Sequence, residues 1–268
     1  MNYPDIYREH SPLIEYQNVT LMRNNRKVLN DISLSIDVGE HVAILGPNGA
    51  GKSSLIKTIT RELHPTSEGS GSYLQILGKE LWNVIELRSQ LGIVDPDVTK
   101  SSFRDFPCAE VILSGFFSSA GIWPQHRVTT KMRKRTEGVM RLMGIHHLEG
   151  TSINEISTGE SRLVMIGRAL VNDPLTMLLD EPTSSLDPQA ARNVRLTLSK
   201  IASKGKSIVM ITHNLSDIIP EIGRVVFIRN GRVIQDGEKS RILTSESLSA
   251  LFGTKLEVVR RDGYYYYW

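Results

Sequence analysis

Apolar and polar positions follow two periods along the chain, and the changes from one period to the other mark its elements. Residues 14–21 and 28–36 flank the polar turn Arg23-Asn-Asn-Arg26, which predicts an antiparallel pair of strands. The short apolar run His41-Val-Ala-Ile-Leu45 then stops at a glycine-rich turn, and residues 53–63 carry a helical pattern. A Pro/Ser/Gly-rich break at 64–71 is followed by a short strand at 72–77, a helix at 81–90, and the strand Leu91-Gly-Ile-Val94, which stops at Asp95-Pro96.

Between 97 and 155 the strand signals disappear. Residues 110–117 and 130–143 look helical, and the second run gathers Lys131, Arg133, Lys134 and Arg135 on a charged face that reads as solvated helix surface. Strand and helix patterns then resume with a helix at 160–171, a buried strand at 176–179, a helix at 189–203 and a buried strand at 207–211. Apolar strands spaced by helices predict an α/β fold with a mostly parallel sheet covered on both faces. An antiparallel β subdomain precedes it and a helical subdomain at about 97–155 is inserted into it. Residues 224–228 and 232–235 flank Arg229-Asn230-Gly231, a hairpin signal. No internal repeat is visible, so one domain is expected over 13–263, with tails at 1–12 and 264–268. The final Tyr264-Tyr-Tyr-Tyr-Trp268 reads either as a terminal strand or as a contact for a partner.

Composition narrows the class. The net charge of +3 gives no strong field for nucleic acid. Cys108 is the sole cysteine, which excludes an internal disulfide and fits a reducing compartment. The first twelve residues lack the apolar stretch of a secretory signal, and no run approaches the roughly 18 apolar residues of a membrane span. A cytoplasmic protein is expected, reaching a membrane only through a partner.

The chemistry begins where the strand at 41–45 ends. Gly46-Pro47-Asn48-Gly49-Ala50-Gly51-Lys52-Ser53-Ser54 has the spacing G-x-x-x-x-G-K-S between a strand and a helix. Such a turn curls backbone N–H groups round a polyphosphate, and the helix adds its positive end. Lys52 would reach the β- and γ-phosphates, and Ser53 would place a hydroxyl on Mg²⁺. The strand at 176–179 ends in Asp180-Glu181. Asp180 is a candidate magnesium ligand, and Glu181 a candidate general base for a water in line with the γ-phosphate.

With Ile156-Ser157-Thr158-Gly159-Glu160 opening a helix ahead of that strand, the chain resembles an ATP-binding cassette (ABC) ATPase over about 13–263. The resemblance implies that Ser157, Gly159 and Glu160 contact the γ-phosphate of ATP bound to the opposite subunit. It implies that Ser185-Leu186-Asp187 is a dimer-contact loop at the nucleotide, and that His213, after Thr212, is the switch histidine. Thr158 and Glu160 stand where the family usually has glycine and glutamine. Two further departures lie at the nucleotide. Arg23 occupies the place of an aromatic that stacks on adenine, where a guanidinium can also stack. Asp95-Pro96-Asp97 replaces a glutamine that ligates Mg²⁺; either Asp95 takes over that role or the segment is a surface turn.

The resemblance further implies ATP and Mg²⁺ as cofactors and a head-to-tail homodimer or paired cassette. It also implies separate integral membrane permease subunits, with the protein held at the inner face of the membrane. The tail motif Leu248-Ser-Ala-Leu251-Phe-Gly leans towards importer-like cassettes of the metal-chelate or oxyanion kind. The alternative class is a soluble ABC protein in translation control or DNA repair; one cassette and no heptad run speak against it.

Overall fold

The computed structural model describes residues 12–66, 71–95, 98, 100–103 and 105–268. Residues 1–11 of the expected tail at 1–12, and the expectations for Pro96 and Asp97, lie outside the described residues, and Pro12 opens the first strand. The chain divides into two compact units, Met1–Val84 with Ser207–Trp268, and Ile85–Lys206.

The first unit opens with β1 (Pro12–Arg23) and β2 (Arg26–Asp37), joined by Asn24 and Asn25. Both asparagines take left-handed φ, 49° and 58°, the geometry of a two-residue hairpin turn that asparagine tolerates. β3 (Val42–Leu45) leads through the glycine turn into α1 (Lys52–Ile59), and β4 (Tyr73–Ile76) pairs with β1 to complete a three-stranded antiparallel sheet. The Tyr16 hydroxyl lies 2.7 Å from Thr58 Oγ1 and donates to Leu55 O at 3.0 Å, which ties β1 to α1; burial pushes this phenol well above its ordinary pKa.

After α2 (Val84–Gln90), the second unit contributes β5 (Leu91–Val94), α3 (Cys108–Leu113), α4 (Thr130–Met143), α5 (Thr158–Leu170), β6 (Thr176–Asp180) and α6 (Pro188–Ser203). The run expected as one helix at 110–117 is α3 followed by a tighter 3-10 turn, Ser114–Phe117. A Cβ on Gly115 would fall 2.3 Å from Arg168 O, so the backbone here is pressed against α5. α3, α4 and α5 pack closely enough that a Cβ on Gly167 would sit 3.2 Å from both Ile112 and Val139. α4 is capped by Thr129 Oγ1, which accepts from Met132 N, and ends at Gly144 with φ 74°. Its charged face is largely exposed, but Arg135 is engaged: it donates to Asp173 Oδ1 at 2.8 Å and to the carbonyls ending α5.

The first unit resumes with β7 (Ser207–Thr212), β8 (Arg224–Arg229) and β9 (Arg232–Glu238). α7 (Lys239–Ile242), α8 (Ser245–Phe252), β10 (Val258–Arg261) and β11 (Tyr264–Tyr267) complete it. β7 and β8 flank β3 in parallel, and β9 returns antiparallel to β8 around Asn230-Gly231. Every residue of β3 and β7 is buried, as their unbroken apolar runs require of strands covered on both faces. In the second unit β5 and β6 are likewise parallel. The fold is α/β, with mostly parallel strands flanked by helices and an antiparallel N-terminal sheet. Among the described residues no helix is long and apolar enough to cross a membrane.

Candidate functional site

In the first unit the candidate phosphate loop is wedged between backbones. A Cβ on Gly46 would fall 2.1 Å from Ile228 O, and one on Gly51 2.7 Å from Val28 O, so only glycine fits where the chain leaves β3 and enters α1. Gly49 and Gly51 take φ of 78° and 103°, and the space on the side-chain side of Gly49 is open. Gly51 is the N-cap of α1 and supplies no side-chain acceptor, which leaves first-turn N–H groups for an anion. Lys52 is buried, and its Nζ donates to Gly46 O at 2.7 Å and Pro47 O at 2.9 Å, so the ammonium lies back across the loop. Ala50 is buried, Pro47 and Ser54 are half-buried, and Asn48, Gly49 and Ser53 are exposed.

A contributor that the sequence reading missed supports the loop from behind. Gly231 N donates to Ala50 O at 3.0 Å, and Gly231 O accepts from Asn30 N at 2.8 Å. The β8–β9 turn thus bridges the phosphate loop to β2. Its Asn-Gly pair was legible as a turn, but nothing in it announced a neighbour far away in sequence.

β7 lies beside β3 with Leu45 opposite Thr212, so His213 leaves the strand at the level of Gly46. Arg23 ends β1 and is exposed at the Asn24-Asn25 turn. Tyr16, the aromatic residue of β1, is committed to the core through Thr58.

The second unit carries the remaining candidates in two groups. Val94 and Leu179 are partners in β5 and β6, so Asp95 and Asp180 stand at the same level of neighbouring strands. Asp180 is 3% exposed at its strand end, and Glu181 follows in a left-handed conformation, φ 46°, unusual for a branched-free acidic residue and a mark of local constraint. Carboxylate and hydroxyl oxygens are the hard donors Mg²⁺ prefers, so Asp180, Asp95 and Ser53 fit that ion by donor chemistry.

The second group forms where α5 and α6 begin. Ser157 caps α5: its Oγ accepts from Glu160 N at 3.2 Å and donates to Glu160 Oε2 at 2.6 Å, while Ser157 N donates to the same oxygen at 2.9 Å. This capping box is what S-x-x-E encodes. The Ser157 hydroxyl first, then its N–H, holds the Glu160 carboxyl below its ordinary pKa. Asp187 caps α6, its Oδ1 accepting from Gln189 N and Ala190 N. A Cβ on Gly159 would lie 2.6 Å from Ala190 Cβ, so the two helix starts touch. Ser157, Gly159, Glu160, Leu163, Asp187, Gln189, Ala190 and Asn193 line one open cleft of about 260 Å³.

The ABC transporter family model matches residues 29–184. The uncharacterized ABC transporter ATP-binding protein YlmA of Bacillus subtilis is 30% identical over 252 residues, 92% of this chain and 93% of that one. The structure of cbiO1 from Clostridium perfringens, part of the ABC transporter complex cbiONQ, superimposes with a TM-score of 0.74 at 25% identity, over 91% of this chain and 94% of that one. An ATP-binding cassette in a dimeric, post-hydrolysis state bound to ADP and Pi matches with a TM-score of 0.66 at 25% identity, over 84% of this chain and 98% of that one. The chain belongs to the ABC transporter family, as one of its single-cassette ATP-binding ATPase subunits.

Proposed function

We propose that two copies of this chain, or this chain and a paired cassette, associate head to tail around ATP and Mg²⁺, and that their closing and reopening drive a transporter whose membrane-spanning chains are separate. The carrying observation is the cleft shared by the starts of α5 and α6, where Ser157 and Gly159 meet Asp187. Two helix N-termini opening on one polar cleft suit a phosphate. The glycine loop of the first unit is the complementary half: a nucleotide seated on Gly46–Ser54 of one copy would present its γ-phosphate to Ser157 and Gly159 of the other.

In this reading Lys52 leaves the carbonyls of Gly46 and Pro47 for the β- and γ-phosphates. Ser53, Asp180 and Asp95 would hold Mg²⁺, which when bound would supply charge neutralisation for the phosphates. Glu181 takes the proton of the attacking water and His213 contacts the γ-phosphate. Arg23 stacks on the base. The helices of 97–155 form the subdomain that receives the spanning chains, in keeping with the complex to which cbiO1 belongs. In this reading the protein works in the cytoplasm, held at the membrane by that partner.

The test is the size of Glu181→Gln with and without Mg·ATP. The variant is expected to be dimeric only with nucleotide and to turn over at about a hundredth of the wild-type rate or less. A strict monomer at high concentration and saturating ATP overturns association of like chains, and wild-type turnover overturns Glu181 as the base. Co-purification of the tagged chain with an integral membrane protein tests transport coupling; nucleic-acid-stimulated hydrolysis would point to the soluble class instead.

A further inference from the structure

The aromatic C-terminus, which the sequence left open, folds against the turn that follows His213. β10 and β11 form a hairpin through Asp262 and Gly263, both with positive φ, and Glu257 and Trp268 extend it by a reciprocal backbone pair at 3.1 and 3.3 Å. β11 packs against the 3-10 turn Leu215–Asp217, which begins two residues after His213. Within β11, Tyr265 is 5% exposed, while Trp268, just past the strand, stands out at 67%. The hairpin turn abuts the next stretch too: a Cβ on Gly263 would lie 3.2 Å from Pro220 Cγ. On Pro220 itself, Lys239 Nζ donates to the carbonyl oxygen at 2.8 Å.

The same turn is knitted from within. Asp217 is 2% exposed, and its Oδ2 accepts from Thr212 Oγ1 at 2.9 Å. Thr212 Oγ1 also accepts from Asn214 N at 2.9 Å, and Asn214 Oδ1 accepts from Ser216 N at 3.1 Å. One hydroxyl therefore fixes the residues on both sides of His213, and a buried carboxylate fixes that hydroxyl. Burying a carboxylate is costly unless it is hydrogen-bonded, so its presence here sets one conformation of the loop over others.

We propose that Asp217 and the β10–β11 hairpin are positioning elements for His213, holding the imidazole at the level of Gly46 so that the last strand of the chain governs hydrolysis without touching nucleotide. The proposal rests on the reading that His213 contacts the γ-phosphate. Misplacing a group in such a site slows the chemical step while leaving binding intact, because the phosphate loop holds the nucleotide independently. Asp217→Ala and Tyr265→Ala are therefore expected to lower kcat about tenfold with the ATP dissociation constant unchanged, and Asp217→Asn, which keeps an acceptor for Thr212, to recover most of the loss.

The experiment combines that comparison with proton NMR of the His213 imidazole in full-length protein, assigned against His213→Ala. The resonance is expected to shift or broaden in Asp217→Ala and Tyr265→Ala and to return in Asp217→Asn. Thr212→Val against Thr212→Ser breaks and keeps the same hydrogen bond, and gives the answer should Asp217→Ala fail to fold. A resonance and a kcat that stay put in both breaking variants, with only the unfolding midpoint lowered, overturn the brace. A shifted resonance combined with normal hydrolysis by His213→Ala upholds the brace and overturns only the reading of His213.

Discussion

Leu45 and Thr212 face each other across neighbouring parallel strands, and the residue after each, Gly46 and His213, therefore leaves the sheet at one level. The first opens the phosphate loop and the second is the candidate switch residue, so the two should fail differently. Lys52→Ala removes the ammonium that lies across the loop and is expected to weaken ATP binding by more than about tenfold. His213→Ala should leave that affinity within about twofold while hydrolysis drops on the order of a hundredfold. Titration with a fluorescent nucleotide, set beside single-turnover rates, separates them. Equal affinity in Lys52→Ala would remove the loop as the binding element.

Gly159 meets Ala190 where α5 and α6 begin, and the space left between them is too small for a second Cβ. Gly159→Ala is expected to push the helix starts apart, lowering stability by about 1–3 kcal/mol and weakening ATP-dependent association. Ala190→Gly in the same chain should restore both, since it removes the atom in the way. Denaturant unfolding and sizing with ATP check this. If the double variant stays as weak as the single one, Gly159 matters for a reason other than this contact.

Elements were legible wherever a local pattern decides them. The glycine spacing, the capping box of Ser157 and Glu160, and the Asn-Gly turn each carry their conformation in a few consecutive residues, and the structure forms all three. Less legible were features fixed by distant partners. Gly231 beneath Ala50, Gly46 against Ile228 and β11 on the turn after His213 are close approaches between segments remote in sequence. A run of four tyrosines announces β-propensity but not the surface it will cover. The 3-10 turn Ser114–Phe117 was hidden for the same reason, because Gly115 is tightened by α5 and not by its own neighbours.

The capping box makes a prediction about pH. The Ser157 hydroxyl and N–H hold the Glu160 carboxyl below its ordinary pKa, so the folded state binds its proton less readily than the unfolded chain. The contribution to stability is therefore fully present above the unfolded value, about 4.3, and is lost as pH falls through the lower folded value. Ser157→Ala should cost about 1 kcal/mol at neutral pH, and less once Glu160 is protonated. Unfolding midpoints of wild type and Ser157→Ala, measured from neutral pH down through the carboxylate range, should draw closer at the acid end, where only the bond from Glu160 N to the Ser157 hydroxyl remains. Parallel curves would mean that the serine stabilises the helix without Glu160.

Arg23 stands exposed at the end of β1, and a guanidinium stacks on any base without reading the adenine edge. GTP is expected to compete with ATP within about tenfold, equivalent to ~1.4 kcal/mol. Competition for the same fluorescent nucleotide measures the ratio. A preference for ATP beyond about a hundredfold shows that another residue reads the base, and unchanged affinity in Arg23→Ala shows that Arg23 does not stack.

The segment that follows Asp95 is the expected seat of the membrane-spanning partner, and burial divides its aromatic residues. Phe103 is 1% exposed and belongs to the core, where the Arg168 guanidinium lies over its ring at 5.2 Å. Phe106, Phe116, Phe117, Ile122 and Trp123 are each only half-buried. Trp123 meets Phe106 edge-on with centroids 6.0 Å apart, and Phe117 stacks on His126 at 4.2 Å. Rings held by one another yet left partly in water form the kind of apolar surface that a lone protein seldom keeps uncovered. A short apolar helix from a spanning chain would bury it, and the sequence link to Asp95 would let partner movement and nucleotide state bias each other. Trp123→Glu and Phe117→Glu are expected to abolish recruitment to membranes carrying the partner while basal hydrolysis continues, because a buried charge at the contact costs several kcal/mol, roughly enough to undo a micromolar interface. Membrane flotation of the tagged variants, with their ATPase rates and unfolding midpoints, provides the check. Variants that fold and hydrolyse but still float with the membrane fraction place the partner elsewhere, and variants that unfold return these aromatics to the core.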